Sequence, residues 1–414
     1  MTIPGLVEHF FRHEYGRLVA VLVRSVGVQH IESVEDAVQT ALMAAVEAWP
    51  VAGLPENRGA WLYKVARNEL IGELRKRSGR IRILEHAAAD LTREAPPTDP
   101  HFDDEVRDDM LRMLFISCDD AIPRESRLVL ALKTLCGFST AEIALRLFIT
   151  EANVHKRLSR ARDRLRQTLP DVETPPLEVL GSRLASVHEV LYLLFNEGYL
   201  SAHAIEAVRR ELCEEAIRLT TLLAEHRVGA RPETFALLAL MHLHAARLAA
   251  RVNGAGGLVL LEEQDRALWD REEIAHGMEW LARSAGGEVF SRYHAEAAIA
   301  VEHCIAPSFE QTRWNQIADL YSMLEHIAPS PLHTLNKAIA VAQWQGPEAG
   351  LSVLSGPEPP SWLAGSYMWD AVLSDLHRRA GHTEISGQHR ERAIGSAPSD
   401  AVRQLLRRRL ATAT

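Results

Sequence analysis

The sequence predicts an all-α protein, and three observations lead there. Apolar residues recur every three or four positions through most of the chain, whereas the strict alternation of a half-buried strand is scarce. Capping residues and terminating prolines or glycines bracket those runs. At 414 residues the chain is too long for one core, so two small helical domains, the second a helix-turn-helix, and a larger C-terminal helical-repeat domain are expected.

Residues 6 to 50 read as helices. Leu18, Leu22 and Val26 share one apolar face, and Val34, Val38, Leu42 and Val46 another, with Glu35, Asp36 and Gln39 on the polar side of the second helix. After Pro50 a turn-rich loop, VAGLPENRG, is expected, then a helix from Ala60 to about Arg77 packing through Trp61, Leu62, Val65, Leu70 and Leu74. Its polar face offers Lys64, Arg67, Asn68, Arg75, Lys76 and Arg77; from Lys64 to Arg82 seven basic residues meet two acids. An exposed loop beside an aromatic and a basic helix suits separated DNA strands, because unstacked bases seek aromatic faces and the backbone seeks cations.

The stretch from Glu85 to about Asp104 is acidic and proline-containing, too poor in apolar residues to fold alone, and reads as a connector. Net charge is -9, but the distribution is uneven. Residues 1 to 170 hold 24 basic and 24 acidic side chains, so the whole excess lies beyond Pro170. Within the first part nine acids and two arginines fall between Glu85 and Asp109, which leaves the flanking modules basic.

Ser139 to Arg166, STAEIALRLFITEANVHKRLSRARDRLR, carries the clearest motif. Ser139 or Thr140 with Glu142 starts one helix, and Thr150 caps a second that runs to about Leu169 and ends at Pro170. Around that second helix Val154, Leu158, Ala161 and Leu165 fall on one narrow face. Opposite stand Ala152, Lys156, Ser159 and Asp163, flanked by Asn153, His155, Arg157, Arg160 and Arg164. Two capped helices with a tight turn fit a DNA-reading motif whose second helix meets base edges first and phosphates later.

These residues carry a resemblance. EDAVQTALMAAVEAW (Glu35 to Trp49), GAWLYKVARNELIGELR (Gly59 to Arg75) and the helix-turn-helix with its ending RLSRARDRLR resemble an extracytoplasmic-function sigma factor, a small two-domain bacterial transcription initiation subunit. The resemblance implies core RNA polymerase and promoter DNA as partners. Glu35, Asp36 and Gln39 would dock on the polymerase, and Asn57, Arg58, Trp61, Lys64, Asn68 and Arg75 would open and read the -10 element. Asn153, His155, Lys156, Arg157, Ser159, Arg160 and Arg164 would read the -35 element. The implied division is 1–80, the -10 domain; 81–106, the linker; 107–170, the -35 domain; and 177–414, a helical extension. Two positions depart from the family pattern: Gly72, where a carboxylate is frequent, leaving Glu73 to supply one, and Phe148, where a helix-ending glycine is frequent.

Beyond the Pro170 to Pro176 boundary the chain exceeds a minimal factor. Ser186 to Ala202 starts a run of amphipathic helices, and Arg231 to Arg251 is apolar on nearly all sides, implying burial. Two helix–glycine–helix segments turn at Gly346 and Gly381, and Leu373, Gly381, Ala393 and Pro398 match tetratricopeptide spacing. LYLLFNEGY resembles a stretch of those sigma factors that bear a large C-terminal helical extension. Such a domain is expected to bind a protein or peptide partner or to control the sigma part. The competing reading is a helix-turn-helix regulator whose repeat domain dimerises or senses a ligand; residues 6 to 77 discriminate, since that protein needs no strand-opening module.

No catalytic residue, cofactor or metal is expected. His242 and His244, with His226 and His294 farther off, invite a metal, but alternate positions lie on different sides of a helix. Cys118, Cys136, Cys213 and Cys304 form no CxxC pair and read as buried small residues. No apolar run reaches membrane-spanning length, so no membrane partner and a cytoplasmic location are expected.

Overall fold

The computed structural model describes residues 3–78, 100–147, 149–168, 181–199, 209–253, 257–356, 359–397 and 400–410. Phe148, Pro398, the Pro170 to Pro176 boundary and positions 79–99 of the acidic connector lie outside them; Pro100 to Asp104 are already helical. Among the described residues the protein is helical, with an isolated bridge between Val252 and Leu258. The chain divides into two compact units, Met1–Leu193 and Leu194–Thr414.

The first unit begins with α1 (Ile3–Val26), α2 (Ile31–Ala52) and α3 (Arg58–Ser78). Leu18, Leu22 and Val26 are buried as expected. On α2 the buried stripe is Val34, Val38, Ala41 and Ala45, not the expected line through Leu42 and Val46; Val46 is 57% exposed. The line 34, 38, 41, 45 follows the helical repeat, and its two alanines leave room for a neighbouring helix. Pro50 does not end α2, which runs one further half-turn to Ala52. A proline in the last turn removes a single amide bond on an exposed face, and termination falls to Gly53, whose φ of 86° suits a residue without a Cβ.

Next come α4 (Pro100–Ser117), α5 (Arg124–Thr134), α6 (Thr140–Leu147) and α7 (Glu151–Thr168). The second half of α4 is apolar all round, with Met110, Leu111, Met113, Leu114, Phe115 and Ile116 buried, so it forms the middle of the unit. Asp109 anchors it to α1: 4% exposed, it accepts from Arg24 at 3.2 Å and from Arg112 at 2.9 Å. Burial raises its carboxyl to about 6 against those two opposing cations. Gly16 permits the crossing of α1 past the end of α5, since a Cβ there would stand 2.2 Å from the Leu135 carbonyl oxygen. Part of α8 (Leu184–Tyr199) completes this unit, with Arg183 held to Asp119 at 2.8 Å.

The second unit is a run of helices packed chiefly on their neighbours in sequence, as in repeat proteins. After α9 (Arg210–Glu225), α10 (Pro232–Ala245) buries nearly every side, as its composition predicted. Then follow α11 (Arg271–Ser284), α12 (Arg292–Ile305), α13 (Trp314–Ile327), α14 (Pro331–Gln345), α15 (Pro347–Leu354) and the short α16 (Ser361–Ala364). Last are α17 (Tyr367–Arg379), α18 (Thr383–Gly395) and α19 (Asp400–Arg409). The two expected turns are present: Gly346 separates α14 from α15 at φ 97°, and Gly381 precedes α18 at φ 83°. The four cysteines are buried free thiols.

Candidate nucleic-acid interface

The helix-turn-helix is built by reciprocal capping. The Ser139 amide donates to a Glu142 carboxylate oxygen at 2.8 Å while the Glu142 amide donates to the Ser139 hydroxyl at 3.2 Å, so α6 starts with two of its free amides satisfied. The turn closes through Ile149, whose amide donates to the Ala144 carbonyl at 3.2 Å. Thr150 then caps α7 by accepting from the Asn153 amide at 3.2 Å, and the Thr140 hydroxyl reaches Glu151 at 2.6 Å, fixing the two helices to each other.

Val154, Leu158, Ala161 and Leu165 are the buried residues of α7, so the opposite face is presented outward as the sequence predicts. His155, Lys156, Ser159, Arg160 and Arg164 are exposed, and Asn153 and Arg157 half-buried. His155 lies 3.8 Å from a Glu151 oxygen, and Arg164 donates to Gln167 at 3.3 Å. Lys156, Arg157 and Arg160 have no acidic partner among the described residues. Such a face suits phosphates, which supply the charge it lacks.

Two further cations of α7 are spent differently. Arg162 pairs with Glu32 at 2.8 Å and with Glu35, and Arg166 pairs with Glu32 at 3.0 Å. Glu35 therefore departs from its expected polar side: it is 3% exposed and faces α7. Burial raises its carboxyl, opposed by Arg162 and Lys133. Asp36 and Gln39 do lie exposed on α2. The sequence reading missed Arg162, Arg166 and Glu32, because partners about 130 positions apart leave no local signal.

The expected -10 residues gather on α3 and its entrance. Asn57 caps α3 by accepting from the Ala60 amide at 2.9 Å. Trp61 is half-buried against Trp49, edge to face with centroids 5.7 Å apart. Arg58, Lys64, Asn68 and Arg75 are exposed, while Leu62, Ala66, Leu70 and Leu74 form the buried stripe. Met43, Val46, Val51 and Leu54, at the end of α2 and in the loop before α3, are exposed apolar residues. Apolar side chains grouped beside a basic helix mark a surface that meets a partner.

In the second unit His242 and His244 face apart, as their spacing requires. His242 bonds Glu273 at 2.7 Å, and His276 stands close enough that the three offer ligand atoms within 4.8 Å, a set that could hold a divalent cation. His244 instead lies against Tyr199, centroids 4.6 Å apart. Among the described residues no helix is long and apolar enough to cross a membrane.

Comparison with known proteins agrees with this geometry. Residues 10–80, spanning most of α1 to α3, match the model of sigma-70 region 2, and residues 113–165, ending in α7, match sigma-70 region 4. Residues 183–285 match a family of unknown function, DUF6596. The ECF RNA polymerase sigma factor SigL of Mycobacterium tuberculosis is 34% identical over 139 residues, 33% of this chain and 75% of that protein. An uncharacterised protein of Rhizobium meliloti is 35% identical over 385 residues, 92% of this chain and 90% of that one. No solved structure matches. A chain whose basic helix-turn-helix is a sigma region 4, and whose Trp61-bearing helix belongs to a sigma region 2, is a member of the extracytoplasmic-function RNA polymerase sigma factors.

Proposed function

We propose that this sigma factor binds core RNA polymerase, opens and reads a -10 element through Asn57, Arg58, Trp61, Lys64, Asn68 and Arg75, and reads a -35 element through α7. The observation that carries the reading is the face of α7: Lys156, Arg157 and Arg160 stand together without acidic partners among the described residues, on a helix capped by Thr150. His155, Asn153 and Ser159, nearer its start, meet base edges, and Arg164 meets phosphate. Asp36 and Gln39, with the apolar group around Met43 and Val46, form the polymerase-docking side, and the C-terminal helical unit regulates the factor. The domains follow the division 1–80, 81–106, 107–170 and 177–414.

The test is reconstitution. Purified protein with core polymerase starts transcripts at a defined promoter, and Lys156→Ala or Arg160→Ala weakens use of the -35 element while polymerase binding persists. Duplex binding without polymerase and no transcripts would favour a conventional regulator. Deleting residues 177–414 changes promoter activity if that unit is regulatory, and leaves it unaltered if it is a passive appendage.

A further inference from the structure

The second unit contains a group of arginines that make no ion pair among the described residues. Arg247, just beyond α10, is 7% exposed and makes no ion pair among the described residues; its Cζ lies 5.5 Å from the centre of the Trp269 ring, and its Nε is buried without a hydrogen-bond partner among them. Arg266 lies over the same ring at 4.5 Å. One of its Nη atoms donates to the His303 and Ala306 carbonyls at the end of α12, at 2.7 and 2.8 Å, while the other is buried and unpartnered. Arg251 stacks 3.9 Å above Tyr199, again with Nε unpartnered. The Tyr199 hydroxyl, the Trp269 indole N–H and the Nδ1 atoms of His244 and His303 are also buried without partners.

Several described carboxylates nearby make bonds other than to these arginines. Asp265 and Asp270 cap helix starts, Glu263 pairs with Arg408 at 2.8 Å, Glu302 holds Arg313 at 2.8 Å, and Glu310, the acid facing Arg266, accepts from the Ser308 hydroxyl at 2.7 Å. The histidines beside them are shifted first by burial and then by these cations. Burial, then Arg247 and Arg251, holds His244 well below its usual range, and burial, then Arg247 and Arg266, brings His303 down to about 3. Water can satisfy a lone N–H, but it does not neutralise a buried guanidinium such as that of Arg247. Burying a guanidinium, as at Arg247, is costly unless an anion pairs with it, and a ring face offsets only part of that cost. Beside the group opens a cleft of about 270 Å³, lined by Arg266, Arg271, Trp269, Cys304 and Pro307.

We propose that the arginine group at this cleft binds a small oxyanion, the phosphoryl or carboxylate group of a metabolite, held by Arg266 in the cleft wall and Arg247 at the same Trp269 ring, with Arg251 lending charge from its stack on Tyr199. Guanidinium forks match the geometry of such groups and supply charge-assisted bonds. Tyr199, Arg247, Arg251, Arg266 and Trp269 all lie within residues 183–285, the stretch whose family has no assigned function. The inference does not depend on the reading of the DNA-binding half.

The full-length protein is titrated calorimetrically with inorganic phosphate and, separately, with citrate, at constant ionic strength and without DNA or polymerase. One-to-one binding of either supports the site, and the tighter of the two identifies the chemistry. Arg247→Met and Arg251→Gln each weaken binding about tenfold or more, and Arg247→Lys, which keeps charge but loses the fork, weakens it less. Circular dichroism verifies that each variant is folded; Arg251 is only half-buried and tolerates change if Arg247 does not. Exposed Arg407→Gln leaves binding unchanged. Binding of neither anion, binding indifferent to both Arg247 and Arg251, or binding abolished instead by Lys156→Ala with Arg160→Ala, overturns the proposal.

Discussion

Among the described residues each half of this protein holds cations without acidic partners, and the two halves hold them in opposite ways. On α7, Lys156, Arg157 and Arg160 follow one another on one helix, in or near water that solvates them cheaply, so an unpaired state is stable and a polyanion of any sequence can approach. In the second unit, Arg247 and Arg251 lie one helical turn apart, Arg266 comes from a later segment, and the three, Arg247 buried and the others half-buried, lie against two aromatic rings. There an unpaired charge is costly, and only an anion of the right size relieves it. Exposure, more than the number of basic residues, separates a surface for a long charged polymer from a pocket for a small one.

Experiments that sharpen the contrast rank by expected effect. Arg162 is the α7 cation that behaves like those of the second unit, since its partner Glu35 is buried. Arg162→Ala strands that carboxylate and costs about 3 kcal/mol in chemical denaturation; Glu35→Gln in the same chain recovers part of it, and a loss under 1 kcal/mol would show that Glu35 finds water.

Acidity gives the next effect, with opposite signs for the two kinds of burial. Asp109 is raised from 3.8 to about 6, so its folded form binds the proton more tightly than the unfolded chain does. It contributes stability below about pH 4 that is lost as pH rises to about 6, and Asp109→Asn removes that fall. His303, lowered from 6.5 to about 3, binds its proton less tightly when folded. Its contribution is present above about pH 6.5 and is lost as pH falls, so His303→Gln flattens the acid limb. Urea midpoints from pH 3.5 to 8 check both.

For the exposed set, replacing Lys156 and Arg160 together by alanine lowers the salt slope of promoter-duplex binding by about 2 and leaves folding unchanged. An unaltered slope would remove α7 from the interface. The smallest effect belongs to the cap: Ser139→Ala costs about 1 kcal/mol by freeing one end of the box.

What could be read from the sequence follows the distance over which each signal acts. The capping box, the Thr150 cap, the buried face of α7 and the turns at Gly346 and Gly381 depend on residues within one or two helical turns, and all were legible. The face of α2 was misread past Val38, because alanine is a weak marker of burial and Val46 a strong one, yet Ala41 and Ala45 are inside. Pro50 was given more weight than a last-turn proline carries. Glu35 looked like a solvated acid, and nothing near it announces Arg162. The arginine cluster was invisible for the same reason: Arg247 and Arg266 are ordinary in their local sequence and become unusual only around Trp269.

The clasp of Arg162 and Arg166 on Glu32 and Glu35 implies a thermodynamic toll on any rival for those two acids. A newcomer that seizes them must evict the arginines, and its apparent affinity falls by whatever free energy the clasp held. By reciprocity, whatever loosens the arginines from those acids raises the newcomer's affinity by the same factor.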